Sequence, residues 1–287
     1  MYSGNRVAIL PYGGSLGVRP GMINLDDLSW PLGRPQGSEE CSLGDLGPDD
    51  HLILYPRRKH YFNFRLGCSA RVSIMMVEPC TVHSHHILLL KHFHWRFFRV
   101  LTVVQHLLDS IPNGIFFPFG STQVSDWQTV DVTKTCMVSH IASEKRSLPG
   151  HIRRHEIAGW VQEENLNVDV IGRGYRPFDN KSDGLAPYRF SVIIENSFEP
   201  NHFTEKLIDA ILCDTIPIYM GCPNIDQFLD PRGMIICRNT DDIRREILSL
   251  TVEQYDNKLP YLRAIKDKAA WYGRHEARAA RIVLDAS

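Results

Sequence analysis

Short apolar runs recur along the chain, each closed by polar or turn-forming residues, with segments of helical apolar spacing between them. In the first half the runs 6–10, 51–55, 70–77, 99–102 and 114–119 read as strands, and 103–110 as a helix. Between the first two, residues 22–50 are rich in Gly, Pro, Asp and Glu, with Trp30 as an anchor, and predict irregular structure with short helices. In the second half, runs at 136–139, 168–171, 190–195, 215–219 and 234–237 read as strands, with helical segments at 152–162 and 240–250. The run Asn239-Thr240-Asp241-Asp242 supplies an N-cap and first-turn acids for the last of these. The charged, Ala-rich tail, 252–287, predicts further helix packed outside a sheet. Apolar runs without alternation are strands buried on both faces, and strands separated by helices predict a parallel sheet. The polar stretch 120–136 reads as a linker, which gives two α/β domains, 1–135 and 136–287. No internal repeat or low-complexity stretch interrupts this order.

The densest information lies in residues 188–221. The run from Phe190 to Ile194 ends in Glu195-Asn196-Ser197, and after a polar loop Thr204-Glu205-Lys206 opens a segment with Leu207, Ile208, Ile211 and Leu212 at helical spacing. Thr215 to Met220 follows as a second buried strand, closed by Gly221. Polar residues therefore gather where a strand ends and a helix begins, the place where open α/β sheets bind ligands. A helix N-terminus bearing a lysine favours an anion, although any strand–helix–strand unit can begin its helix with Glu-Lys.

This stretch resembles the donor-binding motif of the α-1,3-fucosyltransferases, glycosyltransferase family 10. The matching pieces are Ile194-Glu195-Asn196-Ser197, Thr204-Glu205-Lys206-Leu207, Ile216-Pro217-Ile218 and Gly221, in family order and at family-like spacing. The resemblance implies a GT-B fold, two Rossmann-like α/β domains facing a central cleft, with the nucleotide sugar held by the second. It implies that Glu205 bonds donor hydroxyls, that Lys206 meets the phosphates and that Asn196 lies near fucose and phosphate. Glu195 accepts either from the sugar or from neighbouring backbone. His202 stands where bacterial relatives often have Tyr, either against the donor or as loop filler.

Upstream, Val138-Ser139-His140, then Pro149-Gly150-His151-Ile152-Arg153-Arg154, resembles the family segment that carries a basic residue for the GDP diphosphate. The register matches best at Arg154, with Arg153 as the alternate and His140 where the family often has Asn. Val168-Asp169-Val170-Ile171-Gly172-Arg173-Gly174 is similar to the family's Val-Asp-Val-Tyr-Gly-Arg. Its glycines suit a tight turn, and Arg173 contacts either guanosine or only the loop. In the first half the resemblance reaches only Glu78-Pro79, at the end of a strand, and it implies that Glu78 is the base taking the acceptor's proton.

Composition narrows the rest. A chain of 287 residues, 43% hydrophobic, can bury a large core, and a formal net charge of −1 supplies no global field for nucleic acid or an anionic membrane. Seven cysteines without a repeating spacing read as thiols of a reducing compartment. The first residues lack a long apolar stretch, and no run approaches the ~18 apolar residues of a spanning helix. The expected setting is cytoplasmic, with peripheral membrane contact left open. Cys80-Thr81-Val82-His83-Ser84-His85-His86 looks metal-like but needs a second ligand pair elsewhere, for which Cys68, His92 and His94 are the candidates; the other reading is a His-rich helix near an acceptor site. The aromatic-basic tract 92–99 reads as core plus surface.

The sequence expectation is an inverting, metal-independent transferase moving fucose from GDP-fucose to a glycan acceptor, with no cofactor. The alternatives are a family 10-like transferase for another nucleotide sugar and an inactive GT-B-shaped binding protein.

Overall fold

A computed structural model of the chain describes residues 6–38, 40–63 and 66–286; the polar lead-in at 1–5 lies outside them. The chain divides into two units, one of Met1–Pro118 with His275–Ser287 and the other of Phe119–Arg274.

The first unit is built on five strands, β1 (Val7–Ile9), β2 (His51–Leu54), β3 (Arg71–Met75), β4 (Val100–Thr102) and β5 (Gly114–Phe116). All are parallel and lie side by side in chain order. The short helix α1 (Arg58–Phe62) follows β2, α2 (Cys80–Phe93) follows β3 and α3 (Gln105–Leu108) follows β4. Between β1 and β2 the chain makes turns and short 3-10 segments, pinned where the Trp30 indole donates to the Leu25 carbonyl at 2.9 Å. The Cys80–His86 stretch is helical. Its His83 and His86 turn inward, where His86 stacks on Tyr61 with ring centroids 5.5 Å apart. Burial, with His85 and His83 beside it, pushes the His86 imidazole down to about 4, so the His86 ring is a neutral packing group. Among the described residues no three His, Cys, Asp or Glu are grouped to hold a metal ion.

The second unit has strands β6 (Cys136–Ile141), β7 (Asp169–Ile171), β8 (Tyr188–Ile194), β9 (Ile216–Met220) and β10 (Ile235–Ile236). They are all parallel, in the order β10-β9-β8-β6-β7. Helix α4 (Pro149–Glu163) connects β6 to β7, and α5 (Glu205–Leu212) connects β8 to β9. After β10 come α6 (Thr240–Ser249), α7 (Val252–Ala264) and α8 (Lys266–Gly273). Asn239 caps α6 by accepting from Asp242 N–H at 2.9 Å, as its sequence predicts. β8 is the central strand, and its Phe190, Val192 and Ile194 are buried in one core with Leu207, Ile208 and Ile211 of α5.

The units depart in two places from a contiguous division into 1–135 and 136–287. Segment 119–135 packs with the second unit, because the buried Asp209 carboxylate of α5 accepts from the Thr122 hydroxyl at 2.6 Å and from Gln123 N–H at 3.0 Å. The last helix, α9 (His275–Asp285), belongs to the first unit. It buries Ala279, Ala280 and Val283, small residues that let a helix approach closely, and it meets β1 and β2. Arg278 donates to the Pro118 carbonyl at 2.6 Å, and the Tyr55 hydroxyl to Glu276 at 3.2 Å. Among the described residues no helix is long and apolar enough to cross a membrane.

Candidate active site

In the second sheet β6 and β8 are neighbours, but the chain leaves β6 toward β7 on one side and leaves β8 toward β9 on the other. A crevice opens at the carboxyl ends of two strands whose connections diverge in this way. The residues around it come from the β6 end, the start of α4, the β8 end and the start of α5.

Helix α4 approaches the end of β8 at backbone distance. A Cβ built on Gly150 would stand 1.7 Å from the Glu195 carbonyl oxygen, so only glycine fits, and its N–H donates to the Asn196 carbonyl at 3.1 Å. One turn on, Arg154 is 5% exposed. Its guanidinium donates to the Ile194 carbonyl and, at 2.8 Å, to Asn196 Oδ1. Burial pushes the Arg154 guanidinium down from its ordinary value, while Glu195 and Glu205 act in the opposite sense. From the β6 side, His140 Nε2 lies 2.8 Å from the Arg154 carbonyl, which can only accept, so Nε2 carries the proton. Burial pushes His140 down to about 4, and the neutral ring ties β6 to α4.

The start of α5 is organised around Glu195, which is fully buried. Its two oxygens accept from Thr204 N–H at 2.8 Å and from the Thr204 hydroxyl at 2.7 Å. Thr204 is the N-cap of α5, and its hydroxyl oxygen accepts from Lys206 N–H at 3.4 Å. The Lys206 ammonium lies 3.0 Å from Glu205 Oε1 and 3.7 Å from Glu195 Oε2. Burial alone would lower Lys206, but Glu195 and Glu205 raise it above its ordinary value. Burial alone would raise Glu205, but Lys206 and then Lys181 bring it below its own. Both therefore stay charged across the neutral range.

Arg154 and Lys206 line a cavity of about 120 Å³ together with Ser143, Lys181, Ile141 and the end of β8. Sites for whole drug-sized ligands run to about 300–1,000 Å³, so this cavity takes only a part of a ligand, and its two fixed cations suit an anionic part. Of the residues that the sequence singled out, Arg154, Glu195, Asn196, Glu205 and Lys206 come together here. Glu195, left open between sugar and backbone, spends both oxygens on Thr204. Arg153 is half-exposed and pairs with Glu156 at 3.0 Å. His202 is 3% exposed and is absent from the cavity wall. Arg173 is exposed beyond β7, also away from the cavity, past a turn in which Gly172 has φ +119° and a Cβ would meet the Ala142 carbonyl at 2.1 Å. Glu78 lies in the first unit, just beyond the carboxyl end of β3, where it accepts from the Tyr12 hydroxyl at 2.8 Å. Burial, then this bond to Glu78, pushes the Tyr12 phenol up to about 12.

Sequence reasoning passed over two of these residues, Tyr12 and Lys181. Lys181 opens a 3-10 turn, Lys181–Gly184, whose start is held by Asn180 N–H donating to Asp183 Oδ2 at 3.0 Å. The Asn-x-x-Asp pair is a legible cap, but nothing local marks the lysine inside it.

The model of the glycosyltransferase family 10 (fucosyltransferase) C-terminal domain matches residues 129–262. Residues 129–262 are thus similar to the family 10 C-terminal domain. The family 10 match begins just before β6 and takes in all five strands of the second sheet, so it covers every residue of the crevice described above. Two curated relatives agree. The 3-galactosyl-N-acetylglucosaminide 4-alpha-L-fucosyltransferase FUT3 of Bos taurus is 27% identical over 164 residues, 53% of this chain and 44% of the relative. The alpha-(1,3)-fucosyltransferase FucT of Helicobacter pylori is 38% identical over 56 residues, 20% of this chain and 12% of the relative. The chain thus spans less than half the length of the curated relatives it matches. Among solved structures, a glycosyltransferase from Rickettsia africae superposes with TM-score 0.54 at 13% identity, covering 83% of this chain and 76% of that one. That likeness shows the fold, the two Rossmann-like α/β units of GT-B glycosyltransferases that the sequence resemblance implies.

Proposed function

We propose that this protein transfers fucose from GDP-fucose to a hydroxyl of a glycan acceptor, with inversion at the fucosyl carbon and without a metal ion. The observation that carries the reading is the convergence of Arg154 and Lys206 on one cavity at the β6/β8 crevice, within the segment similar to the family 10 C-terminal domain. A diphosphate leaving group gains charge as its bond to the sugar breaks. Cations already fixed in place stabilise that charge in the transition state without reorganising. Arg154 is fixed by the Ile194 carbonyl and Asn196, and Lys206 by Thr204 and Glu205. A metal ion would have the same task, and these cations take it over in this reading.

In the reaction the acceptor oxygen bonds to the fucosyl carbon as the bond from that carbon to the phosphate oxygen breaks. The acceptor's proton goes to a carboxylate and the electron pair of the broken bond to GDP. Glu78 is the carboxylate assigned here, held by the Tyr12 hydroxyl, and Glu205 bonds the donor's hydroxyls.

The test is a donor screen by calorimetry with GDP-fucose, GDP-mannose and UDP-sugars, in EDTA and in magnesium. GDP-fucose is expected to bind best and equally in both. A preference for GDP-mannose or a UDP-sugar would overturn the choice of sugar, and affinity restored only by magnesium would overturn the metal-free reading. No affinity for any nucleotide sugar would leave the fold as a binding scaffold.

A further inference from the structure

Three cations line the cavity at the β6/β8 crevice, and two of them are held by the protein itself. Arg154 and Lys206 spend their donors on the Ile194 carbonyl, Asn196, Thr204 and Glu205. The third, Lys181, lines the same wall but makes no hydrogen bond and no ion pair among the described residues. Of the nearby carboxylates, Glu195 and Glu205 are engaged, while Asp209 keeps one buried oxygen, Oδ2, without a hydrogen bond. Glu195 is taken by Thr204, Glu205 by Lys206, and one oxygen of Asp209 by Thr122 and Gln123. A half-buried ammonium beside two other cations is costly unless something anionic joins it. Burial pushes Lys181 down from its ordinary value. Lys206 and Arg154 add to that, against Asp209 and Glu205. The backbone that carries it is nonetheless ordered by the Asn180–Asp183 cap, so the lysine is presented from a fixed turn.

We propose that Lys181 is a third diphosphate-binding residue, whose ammonium meets the phosphates of the bound nucleotide sugar beside the α4 and α5 cations. The inference rests on the reading that this cavity takes a nucleoside diphosphate sugar, and it adds a residue to the two cations which that reading names. It makes Lys181 different in kind from its neighbours. Arg154 and Lys206 also hold the protein together by hydrogen bonds, whereas Lys181 makes none to the described residues and meets Asp209 and Glu205 only as neighbouring charges. Removing it should therefore weaken binding without weakening the fold.

The experiment uses the full chain and three variants, Lys181→Met, Lys181→Arg and Lys206→Met. Binding of GDP, UDP and guanosine is measured by calorimetry, and stability by urea unfolding without ligand. Lys181→Met is expected to lose roughly ten- to hundredfold in affinity for GDP and UDP alike. It should change guanosine binding little and be as stable as the unaltered protein or more so. Lys181→Arg should recover most of the affinity. Undiminished GDP binding by Lys181→Met, while Lys206→Met is weakened, would overturn the inference and leave the proposed function standing. An equal loss for GDP and guanosine would place Lys181 at the nucleoside and also overturn it. A drop in stability that accounts for the lost affinity would make Lys181 a structural group instead. If the unaltered protein binds neither GDP nor UDP, the reading of the cavity fails, and this inference fails with it.

Discussion

Glu195 holds Thr204 by two bonds at once, one oxygen on the backbone N–H at 2.8 Å and the other on the hydroxyl at 2.7 Å. This pair joins the end of β8 to the first turn of α5, which makes a buried carboxylate the clasp of the candidate site. Thr204 in turn caps α5 and touches the Lys206 ammonium at 3.1 Å. The charge that Glu195 brings into the core is matched by Lys206 at 3.7 Å. The position of the Lys206 ammonium thus depends on a residue whose two oxygens both accept from Thr204.

Glu195→Ala should lower stability by roughly 3–5 kcal/mol, the usual cost of removing one partner from a buried charged pair. Urea unfolding measures it. Glu195→Gln, which still accepts from Thr204 N–H, should cost less. A loss in Glu195→Ala below the range of ordinary surface changes would show that the clasp carries no weight.

Arg154→Ala and Lys206→Ala should each weaken GDP binding by roughly 1.5–3 kcal/mol, the worth of a charge-assisted hydrogen bond. Arg154→Ala should also reduce stability, since it leaves the buried Ile194 carbonyl unpaired. Arg153→Ala should leave both within about 0.5 kcal/mol, because its i,i+3 pair with Glu156 is half-exposed. Calorimetry on the three variants decides the register. Loss of affinity in Arg153→Ala alone would move the phosphate contact one residue back.

Glu78→Gln keeps size and reach but cannot take a proton, so the transfer rate should fall by about 10²–10⁴, with GDP-fucose affinity nearly unchanged. Tyr12→Phe removes the hydroxyl that donates to Glu78 and should reduce the rate by a smaller factor. Near-native turnover of Glu78→Gln would put the base elsewhere. His85, exposed on α2, would come before His83 and His86, which are buried.

Asp209 sets a pH dependence of opposite sign to that of the usual paired carboxylate. Burial pushes it up to about 6, and the bonds from Thr122 and Gln123 only partly offset this. As pH rises from about 4 to about 6, the unfolded chain releases this proton while the folded chain keeps it. Stability should therefore fall across that window by as much as about 3 kcal/mol, and the loss is complete above it. In Asp209→Asn, Oδ1 still accepts both bonds and nothing titrates, so this decline should disappear. Stability curves at pH 4, 5, 6 and 7 for both proteins check it, and parallel curves would remove Asp209 as their cause.

The sequence by itself determined the strands, the class of sheet and most of the site. Buried parallel strands need apolar residues on both faces, so 51–55, 70–77 and 190–195 stand out as apolar-rich runs, and they mark β2, β3 and most of β8. Arg154 apart, the residues of the clasp and its cations fall in one strand–loop–helix segment, where local spacing carries the information. Tertiary structure decided what depends on distant partners. The order β10-β9-β8-β6-β7, which opens the crevice between β6 and β8, is invisible to periodicity because a buried face does not say what covers it. The same holds for α9, whose Ala279, Ala280 and Val283 announce a small-residue face but not that it packs with β1 and β2. Glu195 shows the limit most directly. Its place at a strand end is written in the local pattern, but the two bonds to Thr204 that consume its oxygens exist only once the loop between them has closed.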